Sequence, residues 1–222
     1  PQAKCRKVDV VKNCYLFNPK IWDNLVTYKL YYDQLSAAEG IRVLLEEIGL
    51  PYKLIPSFKD RSKPRPVEQL KINPNGWLPV LTWENTGMYE CAAITLFLCD
   101  KHPEANLAPL PNEPERAVFL QTLIYFSNSV QTAFQTFHYP DRFVDKAQIE
   151  VNAQRRGIQR LRETWHVINE QIGDKVWVLG NRFSAADIYL FMLTTWLKPW
   201  LGHPKVNEFP NVKRVADAVI LR

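Results

Sequence analysis

Residues 73–81 read Asn73-Pro74-Asn75-Gly76-Trp77-Leu78-Pro79-Val80-Leu81. From Leu78 to Trp83 the chain has the apolar, β-branched and aromatic character of a strand. A proline at the head of such a strand is unusual, because it has no N–H to give to the ladder. Two geometries accommodate it. A trans proline fits at a strand edge. A cis Leu78–Pro79 bond instead bends the chain and turns the Leu78 main chain outward. The exposed N–H and C=O of Leu78 would then pair with an extended peptide, as in strand addition.

The segments on either side build a small α/β unit. Val26–Tyr32 reads as a strand, and Ile41, Leu44, Leu45 and Ile48 recur at helical spacing. Gly49 and Pro51 end that helix. Tyr52–Pro56 reads as a second strand, Lys59–Pro66 as a basic, proline-containing loop, and Val67–Lys71 as a short helix. Beyond Trp83, Glu84–Gly87 is turn-like, Met88–Tyr89 is a short strand, and Ala92–Lys101 is a helix. The order is β-α-β-(α)-β-β-α. A strand, a crossover helix and a strand imply a right-handed parallel unit, and the later strand pair an antiparallel hairpin on the same sheet.

Ala108–Pro114 holds three prolines and reads as a linker. The rest is helical: Glu115–Thr136, apolar on more than one face; the amphipathic Asp145–Ile172; and the strongly apolar Ser184–Leu197. The expected organisation is an extension at 1–25, an α/β domain at 26–107, a linker at 108–114 and an all-helical domain at 115–222.

Composition narrows the function classes. The net charge of +5 comes from 28 Lys/Arg and 23 Asp/Glu. Residues 1–25 carry five basic and two acidic side chains (+3), 26–107 nine and ten (−1), 108–222 fourteen and eleven (+3). No dense basic stripe suggests nucleic acid. The four cysteines, Cys5, Cys14, Cys91 and Cys99, form no C-x-x-C pair and fit no zinc spacing. No apolar run reaches the ~18 residues a membrane span needs. These features lead to the expectation of a cytoplasmic protein without metal, membrane or nucleic-acid partner.

Three places carry chemistry. Ser36 lies where the first strand turns into the first helix, an end that favours anions. Ser36 and Glu39 are spaced as a capping box, the reading that local sequence favours, and a hydroxyl there can also donate to a bound thiolate and lower its pKa. The second place is the Leu78–Pro79 junction. The third is Tyr89-Glu90-Cys91-Ala92, which opens a helix directly after a strand. Main-chain N–H groups there suit a carboxylate, and Glu90 suits an ammonium group. Glu90 also reads as an ordinary first-turn glutamate, and Cys91 as a small packed residue.

Taken in order, these segments resemble the glutathione transferase family: Leu30-Tyr31-Tyr32 with Ser36; Leu45-Glu46-Glu47-Ile48-Gly49-Leu50-Pro51-Tyr52; residues 73–81; and Glu90-Cys91-Ala92-Ala93-Ile94. Leu179-Gly180-Asn181-Arg182-Phe183-Ser184-Ala185-Ala186-Asp187-Ile188 is similar to that family's helical-domain signature. It has its own logic, since Ser184 and Asp187 are spaced as a capping box. Asp100–Pro109 looks most like bacterial members.

The resemblance implies a thioredoxin-like N-terminal domain plus an all-α C-terminal domain, usually as a homodimer. It implies glutathione as co-substrate, bound through Leu78, cis Pro79, Glu90 and Cys91, with Ser36 as the catalytic, thiol-activating residue. Gln34-Leu35 replaces the Pro-Gly common before that serine, and Tyr31 and Tyr32 are alternative hydroxyl donors. The acceptor pocket, for a small apolar electrophile, is expected at Phe126, Asn128, Gln131, Phe134 and Tyr139. The basic loop Lys59–Lys63 reads as solvated or as a partner for the glycine carboxylate of glutathione. The implied activity is a detoxifying glutathione transfer. Alternatives on the same scaffold are a glutathione-dependent isomerase, ether-cleaving lyase or reductase, or a non-enzymatic binding module.

Overall fold

A computed structural model describes residues 27–58, 60, 62–145 and 147–222. The extension expected at 1–25 lies outside them, as do Val26 of the first strand and Lys59 and Arg61 of the basic loop.

The N-terminal part is a four-stranded mixed sheet with helices. β1 (Tyr28–Tyr32), β2 (Tyr52–Pro56), β3 (Val80–Trp83) and β4 (Thr86–Tyr89) stand in the order β2-β1-β3-β4. β1 and β2 are parallel, with Tyr28 opposite Tyr52. β3 is antiparallel to both β1 and β4. The strand periodicity thus placed the parallel unit and the hairpin on one sheet. α1 (Ala38–Ile48) crosses between β1 and β2, α2 (Val67–Ile72) precedes β3, and α3 (Cys91–Lys101) follows β4. Gly49 ends α1 at φ 81°, its N–H donating to the Leu45 and Glu46 carbonyls. A residue with a Cβ pays a steric cost at that φ, which is why glycine marks the helix end.

The C-terminal part is helical: α4 (Arg116–Tyr125), α5 (Gln131–His138), α6 (Ala147–Ile172), α7 (Ala185–Thr194) and α8 (Pro210–Ile220). α4 and α5 are joined without a break by a π turn, Phe126–Val130. Bonding i→i+5 adds one residue to the turn and rotates the following face by about 100°. The reading of 115–136 as one helix captured its continuity and missed this phase change.

A continuous core ties the two parts together. α1 packs on α7 so closely that a Cβ on Gly40 would come 2.8 Å from Met192 Sδ. The Ala185 N–H at the start of α7 donates to the Leu107 carbonyl at 2.7 Å. The Arg116 guanidinium grips both carboxylate oxygens of Asp100 at 2.8 Å. The Ser184–Asp187 capping box forms as expected: the Asp187 carboxylate accepts from Ser184 N–H at 2.8 Å and from Ser184 Oγ at 3.0 Å. It also accepts from the Val178 N–H at 2.8 Å, stapling the preceding loop.

The Ser36–Glu39 capping box does not form. Glu39 is drawn away by Tyr32, whose hydroxyl donates to it, and by Arg42 at 3.1 Å. Ser36 Oγ still accepts from Ala38 N–H at 3.2 Å, so the serine caps the helix start without a reciprocal partner.

Candidate active site

One end of the sheet and the helical part enclose a cleft of about 630 Å³. Ser36, Leu78, Pro79, Glu90 and Cys91 all line one side of it, and Gln131, Phe134 and Tyr139 line the other.

Ser36 sits in a tight turn after β1. Its N–H reaches the Asp33 carbonyl at 3.3 Å, and its hydroxyl donates to the same oxygen at 2.7 Å. The turn forces Leu35 to φ 54°, a left-handed conformation that glycine adopts more easily. The two tyrosines that were alternative donors lie elsewhere. Tyr31 is buried in the sheet, and burial, with the bond to Glu39, pushes the Tyr32 phenol up to about 12.

Leu78–Pro79 is a cis peptide bond. Leu78 lies before β3 begins, and its N–H and C=O make no hydrogen bond among the described residues. A buried polar cluster fixes the chain ahead of it. Gln69, wholly buried, accepts from Ser57 Oγ at 2.6 Å and donates to the Gly76 carbonyl at 3.2 Å. Asn73 Nδ2 donates to the Trp77 carbonyl at 3.1 Å. Arg65 Nε adds a bond to the Gly76 carbonyl at 3.0 Å. Asn73 belongs to the stretch that stood out in the sequence, whereas Gln69 did not, because an isolated polar residue in a short helix carries no spacing signal.

Glu90 precedes α3 at φ 77°, ψ 113°, a conformation strained for a residue with a Cβ. Its exposed carboxylate makes no ion pair or hydrogen bond among the described residues. Cys91 opens α3. Its thiol points inward, 3.5 Å from the Ala37 carbonyl, and burial pushes it up to about 12. The side chain is therefore packed as a neutral thiol.

On the opposite wall two expected residues drop out. Phe126 is core, 5.5 Å edge-to-face from Tyr189, and Asn128 faces solvent outside the cleft. Ser127 lines the cleft beside the expected Gln131. Gln131 Oε1 accepts from the buried Tyr189 hydroxyl at 2.5 Å. Three cleft residues carried no sequence signal at all, Arg142, Trp196 and Lys198. The Arg142 guanidinium lies 4.2 Å from the ring centre of Trp77 and 4.2 Å from that of Tyr139, joining the two walls. Trp77, whose role the sequence left open, is thus a stacking surface. Among the described residues no group of three His, Cys, Asp or Glu side chains could hold a metal ion. No described helix is long and apolar enough to cross a membrane.

Two family models match. Residues 36–101 match the glutathione S-transferase N-terminal domain, and residues 151–218 match its C-terminal domain. The chain belongs to the glutathione S-transferase family. Among curated members of that family, the glutathione S-transferase GstA of Escherichia coli O157:H7 is 26% identical, covering 76% of this chain and 81% of that one. The disulfide-bond oxidoreductase YfcG of Escherichia coli K12 is also 26% identical, over 77% and 79% of the two chains. A glutathione transferase homolog from Sulfitobacter with bound glutathione has the same fold. Its TM-score is 0.79 at 23% identity, covering 89% of this chain and 94% of that one. The ternary complex of BphK, a bacterial glutathione S-transferase, has a TM-score of 0.72 at 26% identity, covering 87% and 94%.

Proposed function

We propose that the protein transfers glutathione to an electrophile. One observation carries this reading: the unpaired Leu78 main chain and the starts of α1 and α3 meet at one side of a single cleft, facing an aromatic helical wall. In this reading the Leu78 N–H and C=O pair with the cysteinyl unit of glutathione. The Cys91 N–H at the start of α3 takes the γ-glutamyl carboxylate and Glu90 its ammonium. Lys63 and Arg65 stand on the side left for the glycine carboxylate.

The sulfur then lies at the start of α1. There the Ser36 hydroxyl turns its proton from the Asp33 carbonyl to the thiolate. Stabilising the anion raises the fraction present as nucleophile. The sulfur attacks the electrophile, and the thiol proton passes to solvent. The homodimer implied by family resemblance accompanies this reading.

Titration calorimetry with glutathione, followed by a conjugation assay with 1-chloro-2,4-dinitrobenzene, tests it. Binding and turnover are expected. Binding without turnover of any electrophile leaves a glutathione-binding module, and no binding removes the reading.

A second reading, glutathione-dependent disulfide exchange, is favoured by the inward bond of the Ser36 hydroxyl and by the likeness to YfcG. There the glutathione thiolate attacks one sulfur of a disulfide and the other leaves as a thiolate. Turnover of hydroxyethyl disulfide with no conjugation of any electrophile distinguishes it.

A further inference from the structure

The acceptor wall holds a hydrogen-bond donor whose direction the fold fixes from behind. Gln131 lines the cleft at the start of α5. Its Oε1 accepts from the Tyr189 hydroxyl at 2.5 Å. Tyr189 belongs to α7 and is only 2% exposed. Burial, first of all, pushes its phenol well above the ordinary value, so it keeps its proton and stays a donor. A primary amide bonded through its oxygen presents its NH2 on the other side. Turning the amide over would set an N–H against the phenol proton in a buried place, where unmade bonds are costly. The Gln131 Nε2 makes no hydrogen bond among the described residues.

The same phenol ties this amide to the end of the cleft where the sulfur of glutathione would lie. The Cys91 thiol, at the start of α3, lies beside the Tyr189 hydroxyl and 3.5 Å from the Ala37 carbonyl just ahead of α1. Ala37, Cys91 and Gln131 all line the cleft. Other polar groups of the helical wall turn back on their own segment. Ser127 Oγ donates to the Ile124 carbonyl at 3.2 Å, and Lys198 Nζ to the Thr195 carbonyl at 3.0 Å. The same wall carries Phe134 and Trp196, edge-to-face at 5.5 Å, as an aromatic surface for the rest of a ligand.

We propose that the Gln131 NH2 holds the oxygen of an electrophile whose reacting carbon is conjugated to a carbonyl, with Gln131 a catalytic residue for conjugate addition and Tyr189 its positioning residue. The glutathione sulfur bonds to the β-carbon, the C=C electron pair shifts towards the carbonyl, and negative charge gathers on the oxygen at Gln131. The thiol proton goes to buffer, and a proton from buffer then adds to the α-carbon. This rests on the reading that glutathione occupies the opposite side of the cleft. It narrows the small apolar electrophile expected from the sequence to one with an oxygen acceptor.

The test compares 4-phenylbut-3-en-2-one with benzyl chloride. In the second reaction the sulfur bonds to the methylene carbon and chloride leaves with the carbon–chlorine pair, so no charge forms on a carbonyl. Each kcat/KM is divided by the uncatalysed rate constant for the same compound, removing intrinsic reactivity. The ratio of the two enhancements should favour the enone and fall about tenfold or more in Gln131→Met, which fills the same space without a donor. It should fall by a smaller factor in Tyr189→Phe, which leaves the amide free to turn. If Gln131→Met does not fold, Gln131→Glu keeps an acceptor for Tyr189 while losing the NH2, and carries the same expectation. Turnover of the enone alone supports the proposal. Turnover of benzyl chloride alone, or an unchanged ratio in the folded variants, overturns it and leaves glutathione transfer standing.

A binding measurement separates the two ideas if neither compound turns over. Equilibrium dialysis gives the affinities of 4-phenylbutan-2-one and of butylbenzene in the presence of S-methylglutathione. A ketone-to-hydrocarbon ratio that falls several-fold in Gln131→Met supports the donor site although the transfer reading fails. A ratio unchanged by the substitution overturns the site as well.

Discussion

The Ser36 hydroxyl donates to the Asp33 carbonyl oxygen at 2.7 Å while accepting from the Ala38 N–H at 3.2 Å. A hydroxyl has one proton, so activating a thiolate means leaving the Asp33 carbonyl. A hydrogen bond to a charged partner contributes about 1.5–3 kcal/mol, or roughly one to two pKa units. Ser36→Ala should therefore raise the thiol pKa of bound glutathione by about that amount. Turnover near neutral pH should fall roughly 10- to 100-fold and recover in part as pH rises. The lost helix-start bond should cost about 0.5–2 kcal/mol of stability, measured in parallel. An unchanged pH–rate profile would assign the thiolate to main-chain N–H groups at Ala37.

Gln69→Leu tests how the Leu78 main chain is held. The wholly buried amide joins Ser57 to the Gly76 carbonyl. Leucine leaves the Ser57 hydroxyl without this acceptor and takes one of two donors from the Gly76 carbonyl, at a cost of about 1–3 kcal/mol. Glutathione affinity should weaken with the melting temperature. Stability loss with unchanged affinity would show that this cluster does not position the binding strand.

Asp187→Asn should destabilise without touching chemistry. The carboxylate accepts from Val178 N–H, Ser184 N–H and Ser184 Oγ, and an amide sets an NH2 against one of those donors. The expected loss at neutral pH is about 1–3 kcal/mol. Turnover per folded molecule should stay the same; a fall in it with unaltered denaturant midpoint would contradict a purely structural role.

This capping box was readable because everything it needs is local: Ser184 and Asp187 are three apart, and the Val178 N–H that also reaches the aspartate takes its other oxygen. Ser36 and Glu39 have the same spacing, but Tyr32 and Arg42 take the glutamate, a contact set by the fold. Gly49, Pro51 and the Leu78–Pro79 pair were legible for a similar reason, since glycine and proline restrict their own backbone. The π turn was not. Phe126-Ser127-Asn128-Ser129-Val130 has no residue that marks it. Phe126 and Asn128 were placed in the pocket by aromatic and polar character, which does not tell core or open surface from cleft. Arg142 reaches the cleft from a segment distant from Trp77, and only the packed structure brings the two together.

His203 should set an acid limit on stability. It is buried, its Nδ1 accepts from the Lys198 N–H at 3.2 Å, and its Nε2 makes no hydrogen bond among the described residues. Burial first, then the nearby His138, pushes the imidazole down to about 4. Between pH 6.5 and about 4 the unfolded chain binds a proton that the folded one refuses, so stability falls with pH. The loss is up to about 3 kcal/mol. Asp187, pushed up to about 6 chiefly by burial, acts in the opposite sense over part of this window. The comparison is therefore of wild type with His203→Gln, whose stability should fall less on acidification. Parallel curves would remove His203 as the cause.

Cys91 and Cys99 should resist alkylation in the folded protein. Both thiols are buried and pushed up to about 12, chiefly by burial. Thiolate is the reacting form, so iodoacetamide at pH 8 should leave both unmodified until denaturant is added. Peptide mass spectrometry reads this directly. Fast native labelling of Cys91 would mean that the start of α3 opens readily.

The π turn at Phe126–Val130 gives the acceptor wall a tolerance of chain length. The wider turn takes up about one residue more than an α turn, so deleting one residue there would let α4 run into α5 as a plain α-helix with the later side chains facing as they do now relative to Phe119 and Leu123. Gln131, Phe134 and His138 would keep their places together. A single-codon loss at this turn should thus leave acceptor choice intact, whereas a loss inside α5 would turn every later side chain by about 100° off the cleft.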